Sequence, residues 1–86
     1  MAKVTIRYWA AAKEAAGMPE EAVEAATLAD ALNAAIASRT PGSRLRDVLA
    51  RSSFLVDATR ASRALADAVT LSDGSVIEVL PPFAGG

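Results

Sequence analysis

The sequence predicts an α+β fold in which a mixed β-sheet packs on one main helix. Strand patterns lie near the two ends of the chain, at Lys3–Trp9 and Val76–Leu80, and the clearest helix pattern begins between them at Thr27. The order of strands around one long helix favours a sheet that buries one face against that helix.

The first strand is predicted from the alternation over Lys3–Trp9. Val4, Ile6 and Tyr8 share one face and polar or charged residues share the other, which is the pattern of a half-buried strand. The alanine-rich segment Ala10–Ala16 is then predicted to form a short helix that ends at a glycine.

The main helix has a clear start and a continuous apolar face. Thr27 begins a capping box that Asp30 completes, with the aspartate near the positive end of the helix. The sequence Thr40-Pro41-Gly42 ends the helix. The apolar face follows the i, i+3, i+4, i+7, i+8 spacing of an amphipathic helix and consists of Leu28, Ala31, Leu32, Ala35 and Ile36.

The remaining elements are predicted from shorter patterns. Asp57–Ala68 is ambiguous, with Leu65 and Val69 as core anchors, and Ser72–Ser75 is a turn. Pro81-Pro82 ends the last strand, because proline cannot donate to a sheet. Three further elements are expected: a strand over Glu20–Ala25, a helical turn over Arg44–Arg51 and a buried strand over Phe54–Val56.

Composition excludes several classes of function. The net charge of −1 argues against a nucleic-acid-binding protein, and no segment reaches the roughly 20 apolar residues of a membrane span. His and Cys are both absent, which removes zinc sites, thiolate nucleophiles and triads that need imidazole. We therefore expect a cytoplasmic protein with no metal site, no bound cofactor, and no nucleic-acid or membrane partner.

The last six residues, Pro81-Pro82-Phe83-Ala84-Gly85-Gly86, predict a flexible tail with a function. Six extended residues reach at most roughly 20 Å, enough to enter a pocket on a partner. The glycines place no side chain beside the terminal carboxylate, so the backbone can pass through a narrow channel. A frayed chain end is the alternative, but paired prolines followed by paired glycines make a functional tail the better interpretation.

A C-terminal carboxylate can take part in acyl transfer once it is activated. ATP converts the carboxylate into an acyl-adenylate, and AMP is a good leaving group. Attack by sulfide or a persulfide would leave a thiocarboxylate on Gly86, whereas attack by an amine would leave an amide or isopeptide bond. Neither route needs Cys or His on this chain, in agreement with its composition.

Several motifs carry a resemblance to a known family. The motifs are Tyr8-Trp9-Ala10 followed by Lys13-Glu14 and Gly17, Thr27-Leu28, Phe54-Leu55-Val56-Asp57, Leu71-Ser72-Asp73-Gly74, and Pro81-Pro82 ahead of Gly85-Gly86. Over nearly all 86 residues the chain resembles the small, sulfur-carrying subunit of molybdopterin synthase. That subunit and the thiamin sulfur carrier are ubiquitin-like proteins with a β-grasp fold.

The resemblance implies a single ubiquitin-like β-grasp domain over residues 1–86, with its tail at 81–86. It implies that an E1-like adenylating enzyme uses ATP to activate Gly86, which becomes the thiocarboxylate. The tail then enters the large subunit of molybdopterin synthase and donates sulfur to a cyclic pyranopterin precursor in a heterotetramer. The residues that would contact the channel of this partner are Pro81, Pro82, Phe83, Ala84 and Gly85.

Two other functions stay open on the sequence. A sulfur carrier for another pathway, such as cysteine or thiamin synthesis, would use the same chemistry; Pro81-Pro82 favours the molybdopterin pathway, and Phe83 keeps this alternative open. A ubiquitin-like protein modifier would instead join Gly86 to lysine side chains.

The basic stretch and Trp9 each allow two interpretations on the sequence. Six arginines lie between Arg39 and Arg63 with only two aspartates among them, and they form either a docking surface or an ordinary solvated surface. Trp9 either belongs to an exposed apolar patch that a partner covers or packs under Ala12 and Ala16.

Overall fold

The computed structural model describes residues 1–40 and 42–82. Their strands form one five-stranded sheet in the order β2-β1-β5-β3-β4, in which β1 and β5 are parallel and the other neighbours are antiparallel. The elements in chain order are β1 (Ala2–Tyr8), α1 (Ala10–Ala16), β2 (Glu20–Ala25), α2 (Leu28–Ala37), α3 (Leu45–Arg51), β3 (Ser53–Val56), β4 (Thr59–Ala61), a 3-10 helix (Arg63–Ala68) and β5 (Val76–Leu80). The predicted mixed sheet with a main helix, α2, is confirmed.

The core lies between one face of the sheet and the helices. The predicted alternation in the first strand is confirmed, because Val4, Ile6 and Tyr8 are buried while Lys3 and Arg7 are exposed. The apolar face of α2 is also confirmed, with its four buried residues and the half-buried Ile36 in the core cluster. Strands β1 and β5 and helix α2 therefore supply most of the buried core residues.

Local sequence signals set the end of α1 and the start of α2 as predicted, whereas α2 ends at Ala37, before the predicted stop at Thr40-Pro41-Gly42. The Thr27 hydroxyl accepts a hydrogen bond from the Asp30 backbone N–H at 3.2 Å, which caps the start of α2. Gly17 has a φ of 79° and donates its backbone N–H to the Lys13 carbonyl at 3.0 Å. This left-handed conformation favours glycine and ends α1.

Two predictions from the sequence are wrong in detail. Strand β1 ends at Tyr8, and Trp9 lies outside it as the residue that precedes α1. Leu65 is 63% exposed, and Ala66 is buried in the core instead. The segment forms a 3-10 helix with a kink at Leu65, and its three-residue turn directs Ala66 inward. Val69 packs against the core as predicted.

A half-buried ion pair ties the edge strand β2 to the residues that follow α2. The Arg39 guanidinium lies 2.6 Å from the Glu21 carboxylate, and the two side chains are only 11% and 15% exposed. Arg39 also donates to the Ala16 carbonyl at 3.0 Å and lies over the Tyr8 ring. The Tyr8 hydroxyl donates to Glu21. This network, which we call the Arg39 clamp, joins β1, β2 and the C-terminal ends of α1 and α2.

The turn between β3 and β4 docks onto the start of β5 through Asp57. The Asp57 carboxylate accepts hydrogen bonds from the Ser75 hydroxyl and the Val76 backbone N–H, both at 2.9 Å. Asp57 and Ala58 have φ values of 49° and 68°, as a two-residue type I′ turn requires. The Asp57 carboxylate therefore has a structural role.

Among the described residues, none of the helices has the length and apolar character needed to cross a membrane.

Replacing Ala58 with glycine should stabilise the fold. A left-handed conformation costs a non-glycine residue about 1–2 kcal/mol, and the greater freedom of glycine in the unfolded chain offsets part of that gain. We expect Ala58→Gly to raise the free energy of unfolding in urea by about 0.5–1 kcal/mol. Ala50→Gly, in the right-handed helix α3, is the matched control and should lower the same free energy. A loss of stability in Ala58→Gly would contradict the proposed strain.

Tyr8 should resist ionisation in the folded protein. Burial, and then the hydrogen bond and charge of Glu21, raise the pKa of Tyr8 above its usual value of 10.0. A raised pKa means that the folded state disfavours the phenolate. The contribution of Tyr8 to the free energy of unfolding is therefore fully present below pH 10 and is lost as the pH rises above that value. Tyr8 is the single tyrosine in the sequence, so tyrosinate absorbance reports on it alone. We expect that absorbance to rise only with alkaline unfolding, and near pH 10 in concentrated urea; a rise near pH 10 in the folded protein would contradict this.

Candidate functional site

The described chain leaves the sheet at the end of its central strand. The last register pairs of β5 are Tyr8 with Val79 on the β1 side and Ser53 with Leu80 on the β3 side. Beyond these pairs the Trp9 backbone N–H donates to the Val79 carbonyl at 3.3 Å. The chain then turns into α1 through Ala10, whose φ is 49°. Of the described residues that follow Leu80, neither Pro81 nor Pro82 pairs with a neighbouring strand.

Two prolines follow at the point where pairing stops. Pro81 is half-buried and Pro82 is exposed. Neither residue has a backbone N–H, so neither can extend the hydrogen bonds of the sheet. Their fixed φ angles favour an extended path away from the domain. We call Pro81, Pro82 and the surface around them the tail root.

A groove beside the tail root lies between α1 and α3. It has a volume of about 290 Å³ and is lined by the prolines together with Ala11, Arg44, Asp47, Val48 and Arg51. The apolar floor and charged rim give this surface both a hydrophobic contact area and a positive charge.

The structure divides the basic stretch of the sequence into separate groups. Arg39 is buried in the clamp described above, and its role is structural. Arg44 and Arg51 line the groove at the tail root. Arg60 and Arg63 line a second depression, where α3 ends and β4 is followed by the 3-10 helix. The sequence shows that six arginines lie between Arg39 and Arg63, but only the structure shows which of them line the same hollow.

Trp9 lies on the surface close to the tail root. Its side chain is 45% exposed, and the Arg7 guanidinium lies 5.6 Å from the centre of the ring. Arg7 also approaches the Glu20 carboxylate at 3.8 Å. Of the two interpretations of Trp9, the exposed position is the one that the structure supports.

Two of the residues predicted for the tail, Pro81 and Pro82, are described. Phe83, Ala84, Gly85 and Gly86 lie outside the described residues, so the role of Gly86 stays a prediction. Within residues 1–40 and 42–82, no three His, Cys, Asp or Glu side chains are grouped so that they could hold a metal ion.

A family comparison covers nearly the whole chain. The model described as the ThiS family matches residues 6–86. No curated protein matches the sequence.

Solved structures of similar shape confirm the ubiquitin-like β-grasp fold. The small archaeal modifier protein 1 from Methanosarcina acetivorans has 25% identity and a TM-score of 0.79, covering 100% of this chain and 98% of that chain. A putative molybdopterin converting factor subunit 1 from Pyrococcus furiosus has 19% identity and a TM-score of 0.71, covering 96% and 100%. In the complex of subunits 1 and 2 of molybdopterin-converting factor from Helicobacter pylori, the match has 23% identity and a TM-score of 0.68, covering 98% and 99%.

Trp9 should contribute little to folding for so large a side chain. An exposed cation–π contact is worth about 0.5–1 kcal/mol, whereas truncating a fully buried Phe costs about 3–5 kcal/mol. We expect Trp9→Ala to lower the free energy of urea unfolding, followed by circular dichroism, by about 1 kcal/mol. Phe54→Ala, at the buried Phe54, should cost several times more and is the comparison. Equal losses would place Trp9 in the core.

Proposed function

Because the chain belongs to the ThiS family, we propose that it carries sulfur as a thiocarboxylate on Gly86. The observation that supports this most directly is the tail root. A central strand runs into two prolines directly after its pairing with β1 stops at Val79 and its pairing with β3 stops at Leu80. The sequence then ends in two glycines. A tail with this geometry suits delivery of a terminal carboxylate into another protein.

The chemistry of this proposal takes place at the terminal carbonyl carbon. An E1-like adenylating enzyme joins the carboxylate to ATP, and pyrophosphate leaves. Hydrosulfide attacks the acyl-adenylate, a C–S bond forms, the C–O bond to phosphate breaks and AMP leaves. A persulfide attacks in the same way through its terminal sulfur and gives an acyl disulfide. A second thiol then attacks the inner sulfur of the former persulfide, a disulfide forms between these two sulfurs, and the thiocarboxylate leaves.

The residues of this chain bind and present the tail, and the partners supply the catalytic groups. The sequence contains no Cys or His that could act as a nucleophile or as an imidazole base. The central position of β5 between β1 and β3 holds the tail root in place on a packed core. A rigid root followed by a narrow tail lets the partner bind the terminal residues at a defined distance from the domain.

For the sulfur acceptor, we propose the cyclic pyranopterin precursor of molybdopterin, bound by the large subunit of molybdopterin synthase. The likeness to one subunit of the two-subunit molybdopterin-converting factor of Helicobacter pylori supports this partner. Pro81-Pro82, which carried the resemblance in the sequence, supports the same pathway. Precursors of cysteine or thiamin are the alternative acceptors.

A ubiquitin-like modifier is the second candidate function. The likeness to the small archaeal modifier protein 1 from Methanosarcina acetivorans, over the full length of this chain, favours it. In that role the adenylated Gly86 would react with a lysine amine and form an isopeptide bond. Both functions require the same activation step, and they differ in the nucleophile that follows.

Activation should be visible as a change in the intact mass of the protein. We expect incubation with an E1-like activator, ATP and a persulfide donor to replace one oxygen of the Gly86 carboxylate with sulfur. Mass spectrometry of the intact chain measures this change. A chain that lacks Gly86 and a chain extended beyond it should both stay unmodified while circular dichroism shows the same fold. An unmodified wild-type chain, with an activator that works on its own carrier, would contradict the proposal.

The same reaction separates the two candidate functions when cell extract replaces the persulfide donor. A modifier would give slowly migrating conjugates on a denaturing gel, and they would depend on Gly86. A sulfur carrier would give the thiocarboxylate without conjugates.

A further inference from the structure

Four arginines of the basic stretch line two hollows at the end of the sheet where β5 stops, since Ser53 of the second hollow pairs with Leu80. Arg44 and Arg51 line the groove beside Pro81 and Pro82. Arg60 and Arg63 line the second depression, of about 470 Å³, together with three serines. Arg51 lines the first hollow and the next residue, Ser52, lines the second, so both hollows border the end of α3. We call these four residues the arginine strip.

The arginine strip is not neutralised by the part of the chain that the structure describes. Both ion pairs found within residues 1–40 and 42–82 use other arginines, Arg7 and Arg39. Asp47 is the one acidic residue that lines either hollow. Four positive charges and one negative charge give this surface +3, and with −1 for the whole chain the remainder carries −4.

The side chains suit recognition of carboxylates. Seven of the nine basic residues in the chain are arginines, and arginine binds carboxylates with two parallel hydrogen bonds. Ser52, Ser53 and Ser62 add hydroxyl groups to the second hollow. Arginine is also enriched at protein interfaces, whereas lysine is depleted.

The short tail brings any enzyme that reacts with Gly86 close to the domain surface around the tail root. Four residues follow Pro82, and four extended residues reach at most roughly 14 Å. An enzyme that reacts with the carboxylate of Gly86 must therefore bring its own surface against the tail root. The acceptor differs between the candidate functions, but each of them begins with activation.

We propose that the arginine strip is the docking surface for an acidic patch on the enzyme that adenylates Gly86. This inference rests on the proposed function, because it requires activation of the C-terminus. Complementary charge accelerates the association of two proteins without greatly lengthening the lifetime of their complex. Such binding suits a carrier that must leave its activator and move to the next partner.

The test compares two variants with the same net charge. Arg51→Glu with Arg60→Glu reverses two charges of the arginine strip. Lys3→Glu with Arg46→Glu reverses two exposed charges outside it and is the matched control, since neither Lys3 nor Arg46 lines the two hollows. Circular dichroism checks the fold of each variant. ATP–pyrophosphate exchange by the E1-like activator then measures kcat and KM for the carrier at low and high salt.

We expect the strip variant to raise KM by about tenfold or more at low salt, with kcat unchanged. The difference should shrink near 1 M salt, where the screening length falls to about 3 Å. The control variant should keep a KM close to that of the wild type. An unchanged kcat would show that the bound variant is still adenylated normally, so the raised KM reports weaker docking and not damage to the variant.

Three results would overturn the inference. The first is a strip variant whose KM equals that of the control, and the second is a raised KM that does not depend on salt. The third is weakened binding to the large synthase subunit with normal activation, which would assign the strip to that partner. In all three the wild-type chain still supports exchange, so the proposed activation stands. No exchange with the wild-type chain would instead contradict the proposed function itself.

Discussion

The parallel pairing of β1 with β5 is the constraint on which the rest of this fold depends. Parallel neighbours cannot be joined by a tight turn, so the chain between them must cross over the sheet. That crossover contains the helices, and they cover the face on which Ile6, Ile77 and Val79 are fully buried. Because β1 and β5 point in the same direction, the start of α1 and the tail root lie at the same end of the sheet. The pairing therefore sets both the core and the site.

The tail root lies at a fixed position because it follows the central strand of the sheet. Strand β5 pairs with β1 up to Val79 and with β3 up to Leu80, and neither Pro81 nor Pro82 continues the pairing. A central strand is among the most stably held parts of a small domain, so the prolines that follow it start from a fixed point.

Arginine has two different uses in this domain, and burial separates them. Arg39 is enclosed by Glu21, Tyr8 and backbone carbonyls, where the loss of one partner would leave a buried charge without compensation. The arginines of the strip remain in contact with water, where single charges contribute little to stability. Their charges act at longer range, through the field that they produce together. Net charge alone, at −1, conceals this uneven distribution.

The sequence by itself determined the elements, because each depends on signals that lie within a few residues. Alternation set the faces of β1, the Thr27 cap and the apolar spacing set α2, and the prolines set the end of β5. Only the tertiary structure decided that Ala66 rather than Leu65 is buried and that Arg39 belongs to the clamp. It also decided that Arg44 and Arg51 line one hollow, beside Pro81 and Pro82, while Arg60 and Arg63 line another. Those outcomes depend on contacts between residues far apart in the chain, and strand pairing, which no local pattern encodes, brings such residues together.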